Sequence, residues 1–179
     1  MKFAYTKNKY KTMTVDLATI LPANFHPQSK LWIYQSNRCF NMGELFKIEE
    51  LLEQFIESWK SHGAPVKGFA TVLYGQFIIL MADESYTTVG GCSTDSSVHV
   101  IKDIEKITGV QMFNRELLAF WVKDKVQTIP LAQVAYALEN GLLQKDSLYF
   151  NNLVANKAEM ENKWMQPIEE SWLGKKYLK

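Results

Sequence analysis

Lys67-Gly68-Phe69-Ala70-Thr71-Val72-Leu73-Tyr74-Gly75-Gln76-Phe77-Ile78-Ile79-Leu80-Met81-Ala82-Asp83 reads as two apolar runs joined at a glycine. Runs of this length, rich in β-branched and aromatic residues, favour strands, and Tyr74-Gly75-Gln76 between them is a hairpin signal. The spacing predicts strands near 67–74 and 76–82, the second closed by Asp83-Glu84-Ser85. Upstream, Leu31-Trp32-Ile33-Tyr34-Gln35-Ser36 is another strand, and 43–61 carries Leu45, Ile48, Leu52, Phe55 and Trp59 at helical spacing. Glu49, Glu50, Glu53 and Glu57 occupy the opposite face of that helix, as a solvated acidic surface. His62-Gly63-Ala64-Pro65 stops it.

Downstream, an irregular loop over 86–93 leads to a helix over 95–108 that buries Val98, Ile101, Ile104 and Ile107 and ends at Gly109. A strand near 116–123, a turn at Lys123-Asp124-Lys125 and a short strand at Val126–Ile129 follow. Pro130 opens a third helix that Asn140-Gly141 closes. Leu148-Tyr149-Phe150 is a short strand, with a helix from about 154 to 164 after it. From 31 to 123 the order is β-α-β-β-α-β, so the expectation is an α+β chain with a ferredoxin-like core and C-terminal strand and helix additions. Residues 1–29 read as a polar lead-in whose basic first dozen residues form a mobile tail, and 30–179 as a single domain.

Composition narrows the function classes. Lys and Arg number 20 against 19 Asp and Glu, so net charge gives no reason to expect a nucleic-acid or anionic-membrane partner. Five Trp, eight Tyr and ten Phe favour a self-association surface, and a homodimer is the expected assembly. Only Cys39 and Cys92 are present, with no metal-ligand spacing and no cofactor motif. The basic start lacks the apolar core of a signal peptide, and no apolar run reaches membrane-span length, so the cytoplasm is the expected compartment.

Two polar clusters follow from strand direction. At one end of the sheet, His62 is expected near Asp83, Glu84, Cys92, Ser93 and Asp95. A thiol ahead of a helix N-terminus feels the positive end of the dipole, a histidine could take its proton, and Asp83 could orient that histidine. Backbone N–H groups at Ser93 and Thr94 would form an oxyanion hole. The competing reading makes Gly90-Gly91 an ordinary turn, Thr94 or Asp95 an N-cap and Cys92 inert, and it is the favoured one. At the other end, Arg38 and Arg115 are candidate ligands for a phosphate or carboxylate, with Arg38 held by a neighbouring carboxylate as the plainer alternative.

Several segments together resemble one known family: Trp32–Arg38, His62–Pro65, Gly91–Val98, Phe150–Val154, and Asn156-Lys157-Ala158-Glu159 with Asn162 and Trp164. They are similar to a bacterial family of small proteins usually labelled "ABC transporter ATPase", over about residues 30–172. The family's label implies nucleotide hydrolysis, with no activity that carries over residue by residue. The residues themselves point away from it, because Gly90-Gly91 is followed by Cys92-Ser93-Thr94 and lacks the Gly-Lys-Ser/Thr that cradles phosphates. The leading expectation is a non-enzymatic binding or assembly role for an unidentified ligand. The alternative is a hydrolase or acyl-transfer enzyme using Cys92 and His62.

Overall fold

All seven residues of the strand Phe77–Asp83 are buried, which explains a sequence that is apolar at consecutive rather than alternate positions. Such a strand needs cover on both faces, and the rest of the chain supplies it. The computed structural model describes residues 15–85 and 87–178, with the backbone alone at Cys92 and Ser93. The elements in order are α1 (Leu17–Ile20), β1 (Lys30–Gln35), α2 (Met42–Ser58), β2 (Lys60–Ser61), β3 (Ala64–Pro65), β4 (Lys67–Leu73) and β5 (Phe77–Asp83). After them come α3 (Gly91–Thr108), β6 (Leu117–Val122), β7 (Lys125–Pro130), α4 (Val134–Glu139), β8 (Leu148–Phe150), α5 (Lys157–Lys163), β9 (Met165–Pro167) and α6 (Trp172–Tyr177). The architecture is α+β.

β5 is the centre of a three-stranded antiparallel sheet ordered β1-β5-β4, with Leu31 opposite Met81 and Lys67 opposite Asp83. On one face, Ile78 and Leu80 pack with Ile48 and Leu52 of α2 and Ile101 and Ile104 of α3. On the other, Phe77, Ile79 and Met81 meet Ala119, Phe150, Met160 and Trp164. Ile107, expected inside, is 45% exposed at the last turn of α3.

The strand over 117–122 forms as expected but joins a different sheet. A ferredoxin-like core would pair it with β1. Instead β6 sits between β7 and β8 in a second antiparallel sheet ordered β7-β6-β8-β9. Two causes are visible. The start of the outer edge of β1 meets another segment: Leu31 N–H donates to Ala155 O at 3.0 Å, and Lys30 bridges Asn156. In addition, β6 is apolar on both sides, with Ala119 against the first sheet and Leu118 and Phe120 in a separate core with Ile129, Val134 and Leu173. Burying both faces requires a layer between two cores, a need that an edge position in the first sheet would leave unmet.

The presumed lead-in is part of the domain from Leu17 onward. Leu21 and Phe25 are buried in the core beneath β5, and Lys157 Nζ donates to Pro22 O at 2.8 Å and Phe25 O at 3.3 Å. The expected mobile tail, the first dozen residues, lies outside the described residues. Among the described residues three turns carry consecutive positive φ values: Tyr74-Gly75 (52° and 60°) and the two-residue connections His62-Gly63 (51° and 84°) and Lys123-Asp124 (50° and 61°), the latter two as type I′ hairpins require. So 60–65 is a small hairpin rather than a simple helix stop, and α2 ends three residues earlier than expected, at Ser58.

Candidate functional site

The glycine-rich turn and the His62 hairpin do meet. Ser61 Oγ donates to Thr88 O at 2.6 Å and accepts from Gly90 N–H at 3.4 Å. A β-carbon on Gly90 would stand 3.0 Å from His62 Nε2, so glycine leaves the room that the imidazole occupies. The helix start differs from expectation. α3 begins at Gly91 with Gly90 as an N-cap that offers no side chain, so Thr94 and Asp95 fall inside the helix. Thr94 Oγ1 turns back to Gly90 O at 3.3 Å, while Asp95 is exposed. The side chains of Cys92 and Ser93 lie outside the described residues.

Asp83 has no capacity left to orient a histidine. Its Oδ1 accepts from Ser85 N–H and Oγ at 3.1 and 2.6 Å, and its Oδ2 from Lys67 Nζ at 2.7 Å and His26 N–H at 3.4 Å. Four donors match the roughly four acceptor sites of an ionised carboxylate. The Lys67 ammonium, then the Ser85 hydroxyl, hold this buried carboxyl far below the usual range. Glu84 is similarly committed, to Lys30 Nζ at 2.9 Å and Val89 N–H at 2.7 Å. Both carboxylates close the 83–90 loop onto neighbouring elements.

At the opposite end Arg38 is a clamp. Its guanidinium makes a two-pronged pair with Glu44, both contacts at 2.8 Å, and also donates to Cys39 O at 3.1 Å and Thr108 O at 2.9 Å. Glu44 is the third residue of α2 and accepts from Asn41 N–H at 2.8 Å, completing a capping box with Asn41. The Arg38 contact, then the Asn41 amide, lower the Glu44 carboxyl to about 2. Arg38 thus ties the start of α2 to the end of α3. Arg115 is exposed in the loop before β6.

The opening that no motif announced lies along β4. This strand is an edge of the first sheet, paired on one side to β5 and, among the described residues, to no strand on the other. Alternate N–H and C=O groups of an edge strand point outward, a ready template for another strand. α2 lies beside that edge and walls a groove of about 530 Å³ with Glu49, Glu53, Glu57, Gly68, Thr71 and Val72 among its lining. Gly68 lets the wall come close, since a β-carbon there would fall 2.8 Å from the Trp59 ring and 3.1 Å from Ile56. Glu49, Glu53 and Glu57 are exposed, recur every four residues, and so stand about 6 Å apart along the helix axis. They were read above as a solvated face; only the strand order reveals that they border the edge of β4 that no other described strand pairs with.

No family profile, no curated protein and no solved structure matches this chain. Among the described residues no helix is long and apolar enough to cross a membrane, and no cluster of His, Cys, Asp and Glu is arranged to hold a metal ion.

Proposed function

We propose that this chain is a binding protein that takes an extended, lysine-rich polypeptide segment as an added strand on the outer edge of β4. The supporting observation is the juxtaposition of a strand edge that has no partner strand among the described residues with three carboxylates in a row on α2. Backbone hydrogen bonds supply affinity in strand addition, and side chains at alternate positions supply selectivity. Lysines at every second residue of a strand lie about 6.6 Å apart on one face, close to the 6 Å spacing of the glutamates. The same charges disfavour the expected homodimer by β4-to-β4 pairing, which would bring two acidic helices together. Self-association would use another surface.

The test is fluorescence anisotropy with a labelled peptide of alternating lysines. Binding is expected at low ionic strength, weakening about tenfold or more in the triple variant Glu49→Gln, Glu53→Gln, Glu57→Gln. Equal affinity for the variant, or no binding by the parent chain at millimolar concentration, overturns the reading.

The contact of His62 with Gly90 favours the cysteine-enzyme alternative enough to test it. An enzyme of that kind shows rapid alkylation of Cys92 below pH 7 that His62→Ala abolishes. With Cys39→Ser removing the other thiol, which is exposed, we expect instead the slow profile of an ordinary thiol in both proteins. Nucleotide hydrolysis, implied by the resemblance above, gains no support from the start of α3, where no lysine follows the paired glycines.

A further inference from the structure

We infer that the segment taken by β4 alternates lysine with an aliphatic residue, the aliphatic side chains lying beside Phe69 on the side of the sheet away from α2. This rests on the reading of β4 as a strand-accepting edge. The two faces of β4 are chemically unlike. On the α2 side, Ala70 and Val72 pack with Ile48 and Leu52, Gly68 meets Trp59, and the glutamates stand above them. Lys67, Phe69, Thr71 and Leu73 take the other side, opposite Asp83, Met81, Ile79 and Phe77 of β5.

Residues 15–25 flank this second side. Val15 N–H donates to Tyr74 Oη at 3.1 Å beside one end of β4, and Lys67 Nζ donates to Asn24 O at 2.8 Å at the other. Between those ties Leu17 and Ile20 join the same core as Phe69, and the Phe25 ring meets the Phe69 ring edge-on at 6.5 Å. Phe69 is only half-buried, so an apolar side chain on an added strand would cover more of it. The charge that β4 presents here is the Lys67 ammonium, 33% exposed, which repels a second lysine. Asp16, the acidic residue of 15–25, is engaged as the N-cap of α1, accepting from Ala18 N–H at 3.1 Å. An added strand alternates its side chains between the two walls. Lysine suits the glutamate wall and an aliphatic residue the Phe69 wall. A slip by one residue would exchange the two sets, so the unlike walls select register as well as composition.

The experiment uses the full chain and three labelled peptides of equal charge. One alternates lysine with valine, one alternates lysine with threonine, and one holds the lysines and valines of the first in separate blocks. Threonine matches valine in shape and strand preference, so the first comparison isolates the apolar contact. By fluorescence anisotropy at fixed ionic strength, the lysine–valine repeat should bind about tenfold tighter than either control. In Phe69→Thr its advantage over the lysine–threonine repeat should fall to about twofold or less. Undiminished affinity of that variant for the threonine repeat shows that it is folded. A valine repeat that binds the parent chain no tighter than either control overturns the alternation while leaving the strand-accepting edge standing. An advantage that persists in Phe69→Thr, with the variant folded, does the same. Absence of binding by all three peptides overturns both readings. Binding that falls as the chain dimerises, seen by sedimentation, gives the edge to a second copy and also overturns both.

Discussion

Trp164→Ala should lower the melting temperature by about 10 °C or more, the loss expected when about 3–5 kcal/mol of core packing is removed from a domain of this size. The indole is fully buried where the two sheets meet, with ring centroids 5.2 Å from Phe77 of the first sheet, 5.1 Å from Phe150 of the second and 5.9 Å from Tyr74. Its Nε1–H donates to Asn152 Oδ1 at 3.1 Å, Asn152 Nδ2 donates to Gln35 Oε1 at 2.8 Å, and Gln35 Nε2 donates to Leu117 O at 2.9 Å. One polar relay thus runs from the end of α5 through β1 to the start of β6. Truncation opens a cavity and removes the donor from the half-buried Asn152 oxygen, two separate costs. Trp164→Phe keeps an aromatic ring but loses the donor and part of the buried volume, so its loss should be smaller than alanine's, about 1–3 kcal/mol. Calorimetric or dichroic melts give both values. A shift below about 3 °C for the alanine variant would mean that this ring does not hold the sheets together.

That junction is also where reading the sequence reached its limit. Individual elements were legible because their signals are local. The apolar run 76–82 read as a strand, and Asn140-Gly141 marked a helix end, with φ of 70° at Gly141. The Asn41–Glu44 capping box stands three residues apart in the sequence and could have fixed the start of α2, and with it the partner of Arg38. The placement of 117–122 was not legible, because sheet partners are set by contacts between distant segments, such as Ala155 and Asn156 meeting the start of β1 from over 120 residues away. The proposed site was half legible. Glu49, Glu53 and Glu57 were visible as one face, but what they border is decided by strand order, a long-range property. The Asp83 cluster misled for a related reason. Topology brought Asp83 to the correct end of the sheet, where Lys67, opposite it in the β4–β5 register, is its ion-pair partner.

Asp83→Asn should destabilise the fold by about 3 kcal/mol at neutral pH and flatten its acid sensitivity. The Asp83 side chain is 2% exposed, whereas that of Lys67 is 33% exposed and stacks over the Phe25 ring at 4.8 Å. Lys67 can therefore recover water when its partner is neutralised, which keeps the loss below that of a fully enclosed pair. The remaining donors, the Ser85 and His26 amides and the Ser85 hydroxyl, lose a charged acceptor and fasten the 83–90 loop less firmly. The pH dependence follows from linkage. The folded-state value of Asp83 lies below its ordinary 3.8, so between the two the unfolded chain binds more protons, and stability rises with pH. The contribution is complete above the ordinary value and is lost as pH falls through the folded one. Glu44, at about 2 against an ordinary 4.5, acts with the same sign but stands at the surface, where solvent and salt screen it. Urea melts at pH 7, 4 and 2.5 should show the parent chain losing stability steeply between the last two and Asp83→Asn losing less. An equal gap between parent and variant at all three pH values would show that the buried carboxylate stabilises by its shape and not by its charge.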